Sequence, residues 1–150
     1  MELSWSPLEL YSVNERLKTP CPPLNTEDKR YDFTNVVDAC CNYHSLRVVG
    51  STEKIGTSQL IPNNLKIDFL AFKSLTKLHV EQLDLSTDHI TSLGILRNTL
   101  QILRATHCNI AAVSQLLLCD LAHSDSDEDL TNLMATASCS WSQLLELDLR

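Results

Sequence analysis

Glycine is nearly missing from this chain: 3 in 150 residues, at Gly50, Gly56 and Gly94. So few exclude phosphate-cradling loops, hairpin-rich barrels and dinucleotide fingerprints, all of which need Gly for positive φ and close backbone approach. Basic residues are also short, 12 against 19 acidic ones, and the net charge of −7 argues against a nucleic-acid partner, whose phosphates demand clustered Lys and Arg. No apolar run approaches the ~18–20 residues of a spanning helix. Glu2, Glu9, Glu15, Arg16 and Lys18 interrupt the N-terminus, so no signal-peptide core is present there. No Asn-x-Ser/Thr acceptor occurs. Without a secretory signal or regular spacing, the six cysteines (Cys21, Cys40, Cys41, Cys108, Cys119, Cys139) read as reduced thiols rather than a disulfide framework. The expectation is a cytoplasmic protein with no membrane span.

Leucine is abundant. It occurs 27 times, with 6 in residues 1–59 and 21 in residues 60–150. In the first region, Ser6-Pro7-Leu8-Glu9 is a helix start: Ser6 can accept from the third amide, Pro7 suits the first turn, and Glu9 can reach back. Leu10, Val13 and Leu17 then share a helical face, which Pro20, Pro22 and Pro23 end. Residues 19–30 read as a polar loop. After Thr34, Val36, Val37, Cys40, Cys41 and His44 recur at helical spacing and run into a strand candidate, Leu46–Val49. Residues 50–64 are polar and turn-rich.

From residue 65 a repeat emerges. Leu75-x-x-Leu78-x-Val80-x-x-Leu83-x-Leu85 and Leu100-x-x-Leu103-x-Ala105-x-x-Cys108-x-Ile110 match with an offset of 25 residues, inside the ~20–29 residue window of leucine-rich repeats. A third unit begins at Leu144-x-x-Leu147-x-Leu149. Its offset of 44 implies an insertion of about 20 residues in the preceding unit. Tyr43, Leu46 and Val48 make a degenerate earlier unit or cap. Side chains two apart on a strand point to one face, so each motif presents an apolar stripe that only a stacked neighbour can bury. The position three beyond the second strand leucine must turn the chain. Cys108 fits that slot, with a thiol able to bond turn amides, and Leu83 does not.

The expected fold is therefore α/β: the start of a leucine-rich-repeat solenoid of short parallel strands, with a helical N-terminal cap (1–64) and repeats over 65–150, the third incomplete. The insertion at 111–143 should carry an amphipathic helix (Val113, Leu116, Leu117, Leu121), an acidic loop at 124–129 and a short helix from Leu130 to Ala135. Trp141 should pack at the start of the third unit. A solenoid edge without its next unit invites association, so the chain alone is expected to be marginally stable or to aggregate.

Chemistry is sparse. Cys40, Cys41 and His44 lack the paired ligand sets of a zinc site, and Gly50–Thr57 holds P-loop residue types in the wrong order. His107 and Cys108 are adjacent on a strand, so they point apart and form no nucleophile–base pair. No catalytic, metal or cofactor site is expected. A solenoid instead offers a concave sheet face, here lined by Lys77, His79, Glu81, Ile102, Arg104, Thr106, Glu146, Asp148 and Arg150. Arg104 should neighbour both His79 and Asp148, with an Arg104–Asp148 cross-strand pair. Ser124 and Ser126, with acids at +1 and +3, are candidate phosphorylation sites.

The runs Leu65-Lys66-Ile67, Phe72-Lys73-Ser74-Leu75 and Leu78-His79-Val80, continuing through Leu100-Gln101-Ile102-Leu103, Val113–Leu121 and Trp141 to Leu147, resemble the serine/threonine-protein kinase 11-interacting protein family over about residues 65–147. Nischarin-like proteins are a related comparison. The resemblance implies a cytoplasmic, non-enzymatic scaffold that binds a tumour-suppressor serine/threonine protein kinase and influences its location. It equally allows a structural cap whose partner sites lie elsewhere. The Ser-Asp run at 124–129 departs from the family pattern.

Overall fold

Ser6 and Glu9 close the helix start in both directions. In this computed structural model, which describes residues 2–18, 33–85, 89–110, 113, 116 and 141–150, the Ser6 amide donates to Glu9 Oε2 at 2.7 Å and the Glu9 amide to Ser6 Oγ at 3.3 Å. This reciprocal capping box opens helix α1 (Pro7–Lys18), preceded by strand β1 (Leu3–Trp5). On α1 Leu10 is fully buried, Val13 is partly buried and Leu17 is exposed. Helix α2 (Thr34–Asn42) follows. His44 lies beyond its end, although the periodicity placed it on the helical face.

Four longer strands come next: β2 (Ser45–Val49), β4 (Lys77–Glu81), β6 (Ile102–Thr106) and β7 (Glu146–Leu149). Two short ones intervene, β3 (Ile67–Asp68) and β5 (Ile90–Thr91). The main sheet is parallel throughout, in the order β1-β2-β4-β6-β7, which is chain order. Strands β3 and β5 pair with each other, also in parallel. The chain thus passes from the main sheet to the small one and back twice. Of two 3₁₀ turns, Pro62–Asn64 lies on the first outward path and Leu93–Asn98 on the second return.

The apolar stripes meet in register. Leu3, Leu46, Leu78, Leu103 and Leu147 are successive partners across the sheet, as are Trp5, Val48, Val80, Ala105 and Leu149. The 25-residue offset therefore appears as direct neighbours, Leu78 beside Leu103. The 44-residue offset is the same kind of step, Leu103 beside Leu147. The unit around Leu46 and Val48 is a full strand of this sheet. Within residues 1–64 the sheet thus takes β2 at the strand candidate Leu46–Val49 and adds β1, which the sequence did not indicate.

The starts of β4, β6 and β7 repeat one hydrogen-bond device. The His44 carbonyl accepts the Thr76 and Lys77 amides, the Thr76 carbonyl accepts those of Gln101 and Ile102, and the Gln101 carbonyl accepts those of Leu145 and Glu146. Strand exits match as well. Gln82 and His107, each directly after a strand, are left-handed at φ 53° and 54°, which costs a non-Gly residue about 1–2 kcal/mol. Gly50 holds the corresponding place after β2. A Cβ there would press on the Gln82 carbonyl oxygen and lie 2.6 Å from Asn63 Oδ1, so the close approach requires glycine.

One apolar core joins the two sheets and α1. It contains Leu10, Leu46, Val48, Ile67, Leu78, Val80, Ile90, Leu103 and Ala105, with Phe69, Phe72, Leu75 and Leu100 between strands. Trp5 meets Phe72 edge-on at 5.7 Å. Trp141 packs partly buried against this core, with the Arg97 guanidinium over its ring at 6.0 Å. Of the expected insertion helix, the described Val113 and Leu116 are helical, and Leu116 is buried. The loop at 19–30, the acidic loop with Ser124 and Ser126, and the helix from Leu130 to Ala135 lie outside the described residues. Among the described residues no helix is long and apolar enough to cross a membrane.

Candidate functional site

Alternation along the parallel strands decides what faces away from the core. With Leu46, Val48, Leu78, Val80, Leu103 and Ala105 turned inward, Ser45, Arg47, Lys77, His79, Glu81, Ile102, Arg104 and Thr106 occupy the outer face. Glu146 and Asp148 continue it on β7, and Arg150 follows directly after. The register forms cross-strand rows. One runs Ser45, Lys77, Ile102, Glu146, and the next Arg47, His79, Arg104, Asp148. All nine predicted face residues gather on this one surface, with Arg104 between His79 and Asp148 as the spacing indicated.

The ion pairs run differently from expectation. Arg104 does not bond its direct neighbour Asp148. Its Nη2 reaches Glu146 Oε1 at 2.7 Å and its Nε donates to the same oxygen at 2.8 Å, while Asp148 takes Arg150 Nε at 3.0 Å. A directly opposite pair forces long side chains to stand upright, whereas a diagonal lets arginine lie across the sheet toward a carboxylate. A diagonal of the opposite slant lies two strands earlier, where Arg47, directly beside His79, places Nη2 on Glu81 Oε1 at 2.7 Å. His79 Nε2 sits 3.2 Å from that Glu81 oxygen and 3.1 Å from Thr106 Oγ1. The Glu146 carboxylate also holds the Arg104 guanidinium above its ordinary pKa. Lys77 is the exception: among the described residues its ammonium has no acidic or hydrogen-bonding partner.

Beside Lys77 the face dips into an open depression of about 410 Å³, lined by Glu2, Ser45, Lys77, Leu78, His79, Ile102 and Arg104. Spacing alone missed Glu2, Ser45 and Arg47. The alternation of Leu46 and Val48 was the signal that would have added Ser45 and Arg47. It also missed Asn63, whose Oδ1 accepts from the Ser51 amide and whose Nδ2 donates to the Gln82 carbonyl, both at 2.7 Å, tying the turn after β2 to the exit of β4.

The cysteines follow packing. Cys40 is buried, which pushes its thiol up to about 11, and burial raises Cys108 as well. Cys40, Cys41 and Cys108 are free thiols. Cys108 occupies its turn slot: its Sγ donates to the Thr106 and Val80 carbonyls at 3.4 and 3.5 Å, and backbone hydrogen bonds from Leu83, Thr106 and Gln82 offset part of the effect of its burial. Leu83, in the matching slot, is simply buried. His107 and Cys108 part because His107 has left the strand and is left-handed and exposed, not because they alternate along it. His44 is exposed and off the helix that carries Cys40 and Cys41. Among the described residues no three His, Cys, Asp or Glu side chains are grouped to hold a metal.

No protein-family model matches the chain.

Proposed function

We propose that this chain is the N-terminal part of a leucine-rich-repeat solenoid that serves as a non-catalytic protein-interaction scaffold, with the outer face of the main sheet as its docking surface. The observation that carries this reading is the parallel register of the L-x-x-L-x-L leucines, Leu78 beside Leu103 beside Leu147, in strands stacked in chain order. Stacked repeats of this kind use an extended face of short strands for partners. The resemblance to the kinase-interacting family extends the proposal to a partner: a serine/threonine protein kinase, whose cytoplasmic location the scaffold affects.

The test is capture of that purified kinase by the chain and by its Arg104→Ala/Asp148→Ala variant. Loss of capture by the folded variant supports docking on this face. Undiminished capture refutes it. A second reading, a structural cap of a nischarin-like scaffold with partner sites elsewhere, draws on the internal pairing of Arg47, Arg104 and Arg150 with Glu81, Glu146 and Asp148. A face whose charges satisfy one another needs no partner, and failure of the chain itself to capture the kinase favours it.

A further inference from the structure

We infer that the depression beside Lys77 seats an extended acidic segment of a protein partner, one carboxylate resting on the Lys77 ammonium and the aliphatic side chain two residues along on Ile102. This rests on the docking reading above and names the partner's chemistry.

Commitment of the other cations carries the inference. Arg47 and Arg104 each place two nitrogens on a single carboxylate oxygen, and Arg150 donates to Asp148. Lys77 remains uncommitted among the described residues, on a molecule whose net charge is −7. A lone cation at the rim of a depression attracts one opposite charge, and it does so where the surrounding negative field otherwise repels acids. Carboxylate rather than phosphate fits this site. Lysine binds either anion as a point charge, but the bidentate arginine fork that favours phosphate is lacking, since both nearby forks are engaged. The register adds the apolar half: Ile102 is the direct neighbour of Lys77 on β6 and is half-buried. An extended strand puts alternate residues on one side, so a carboxylate and the aliphatic side chain two residues along face the sheet together and can reach both. Glu2, across the depression, opposes an incoming carboxylate and sets the affinity down.

Fluorescence anisotropy with the full chain and a labelled peptide of Glu-Ser-Val-Ser repeats, which holds Glu and Val on one side of an extended strand, tests this, with the matching Lys/Val and phosphoserine/Val peptides in parallel. Lys77→Glu is expected to weaken the acidic peptide about tenfold at low salt. Lys77→Met should weaken it less. Lys73→Glu makes the same charge change outside the depression and should stay within about twofold. Glu2→Gln should tighten binding, a gain that misfolding cannot produce. Equal losses from Lys73→Glu and Lys77→Glu, no gain from Glu2→Gln, or no binding of the acidic peptide overturn the inference. So does tighter binding of the phosphoserine peptide, or of the Lys/Val peptide. If the acidic peptide fails while Arg104→Ala/Asp148→Ala still abolishes kinase capture, this inference falls and the docking face stands.

Discussion

Leu103 and Leu147 occupy equivalent motif positions and are hydrogen-bonded neighbours in register, yet their surroundings differ. Leu103 is 1% exposed between Leu78 and Leu147, whereas Leu147, on the outermost strand, is 37% exposed. Truncating Leu103 to Ala removes about three methylene equivalents at ~0.8 kcal/mol each, near 2.4 kcal/mol. The cavity left between two strands raises the cost to about 3–5 kcal/mol. At Leu147 a third or more of that surface already faces water, and the site can collapse without a cavity, so Leu147→Ala should cost about 1–1.5 kcal/mol. Urea unfolding followed by circular dichroism reads the difference, with the slope unchanged and only the midpoint moving. Leu103→Ala should also lower Tm by about 6–20 °C. Equal costs for the two truncations, within about 0.5 kcal/mol, would refute the burial argument and the parallel register behind it.

Other predictions follow from single contacts. Gly50→Ala should destabilise by about 1–3 kcal/mol in urea titrations, because the added Cβ meets the Gln82 carbonyl and Asn63. Ser6→Ala removes half of the reciprocal cap on α1 and should cost about 1 kcal/mol by the same measurement. Cys40 carries a thiol raised from 9.0 to about 11 by burial, so the folded chain holds this proton where the unfolded chain releases it. Its stabilising contribution is complete below pH 9 and is lost as pH rises toward 11. Mass-spectrometric alkylation at pH 8 should therefore label Cys40 only after denaturation; rapid labelling in the native chain contradicts its burial.

Periodicity made the leucine ladder readable. Leu75, Leu78, Val80, Leu83 and Leu85 are all buried, because the core selects for volume and spacing at every second strand position. The capping box was equally legible, since Ser6 and Glu9 act within one helical turn. What stayed hidden depends on tertiary placement. Strand β1 is three residues long and owes its existence to the Leu46 strand beside it, so no local pattern marks it. The diagonal choice of Arg104 for Glu146 over Asp148 is a matter of side-chain reach, invisible to a linear spacing rule. His44 looked helical because its spacing suited the face of α2, but its carbonyl is needed by the Thr76 and Lys77 amides. The left-handed turns at Gln82 and His107 carry no Gly or Asn signature, and only the repetition of strand exits reveals them.

The doubled acceptors at the strand starts have a consequence for how such a chain can grow. Leu78 and Leu103 are 25 positions apart and Leu103 and Leu147 are 44 apart, yet both steps land in the same alignment, because the Thr76 and Gln101 carbonyls each grip two amides of the arriving strand. Pitch is therefore set by the clasp and not by the length of the detour. Loop closure grows only slowly more costly with length, by ~0.6 kcal/mol per doubling. Segments of quite different size can be spliced between turns, leaving the pile of strands undisturbed while each splice gains or loses its own surface.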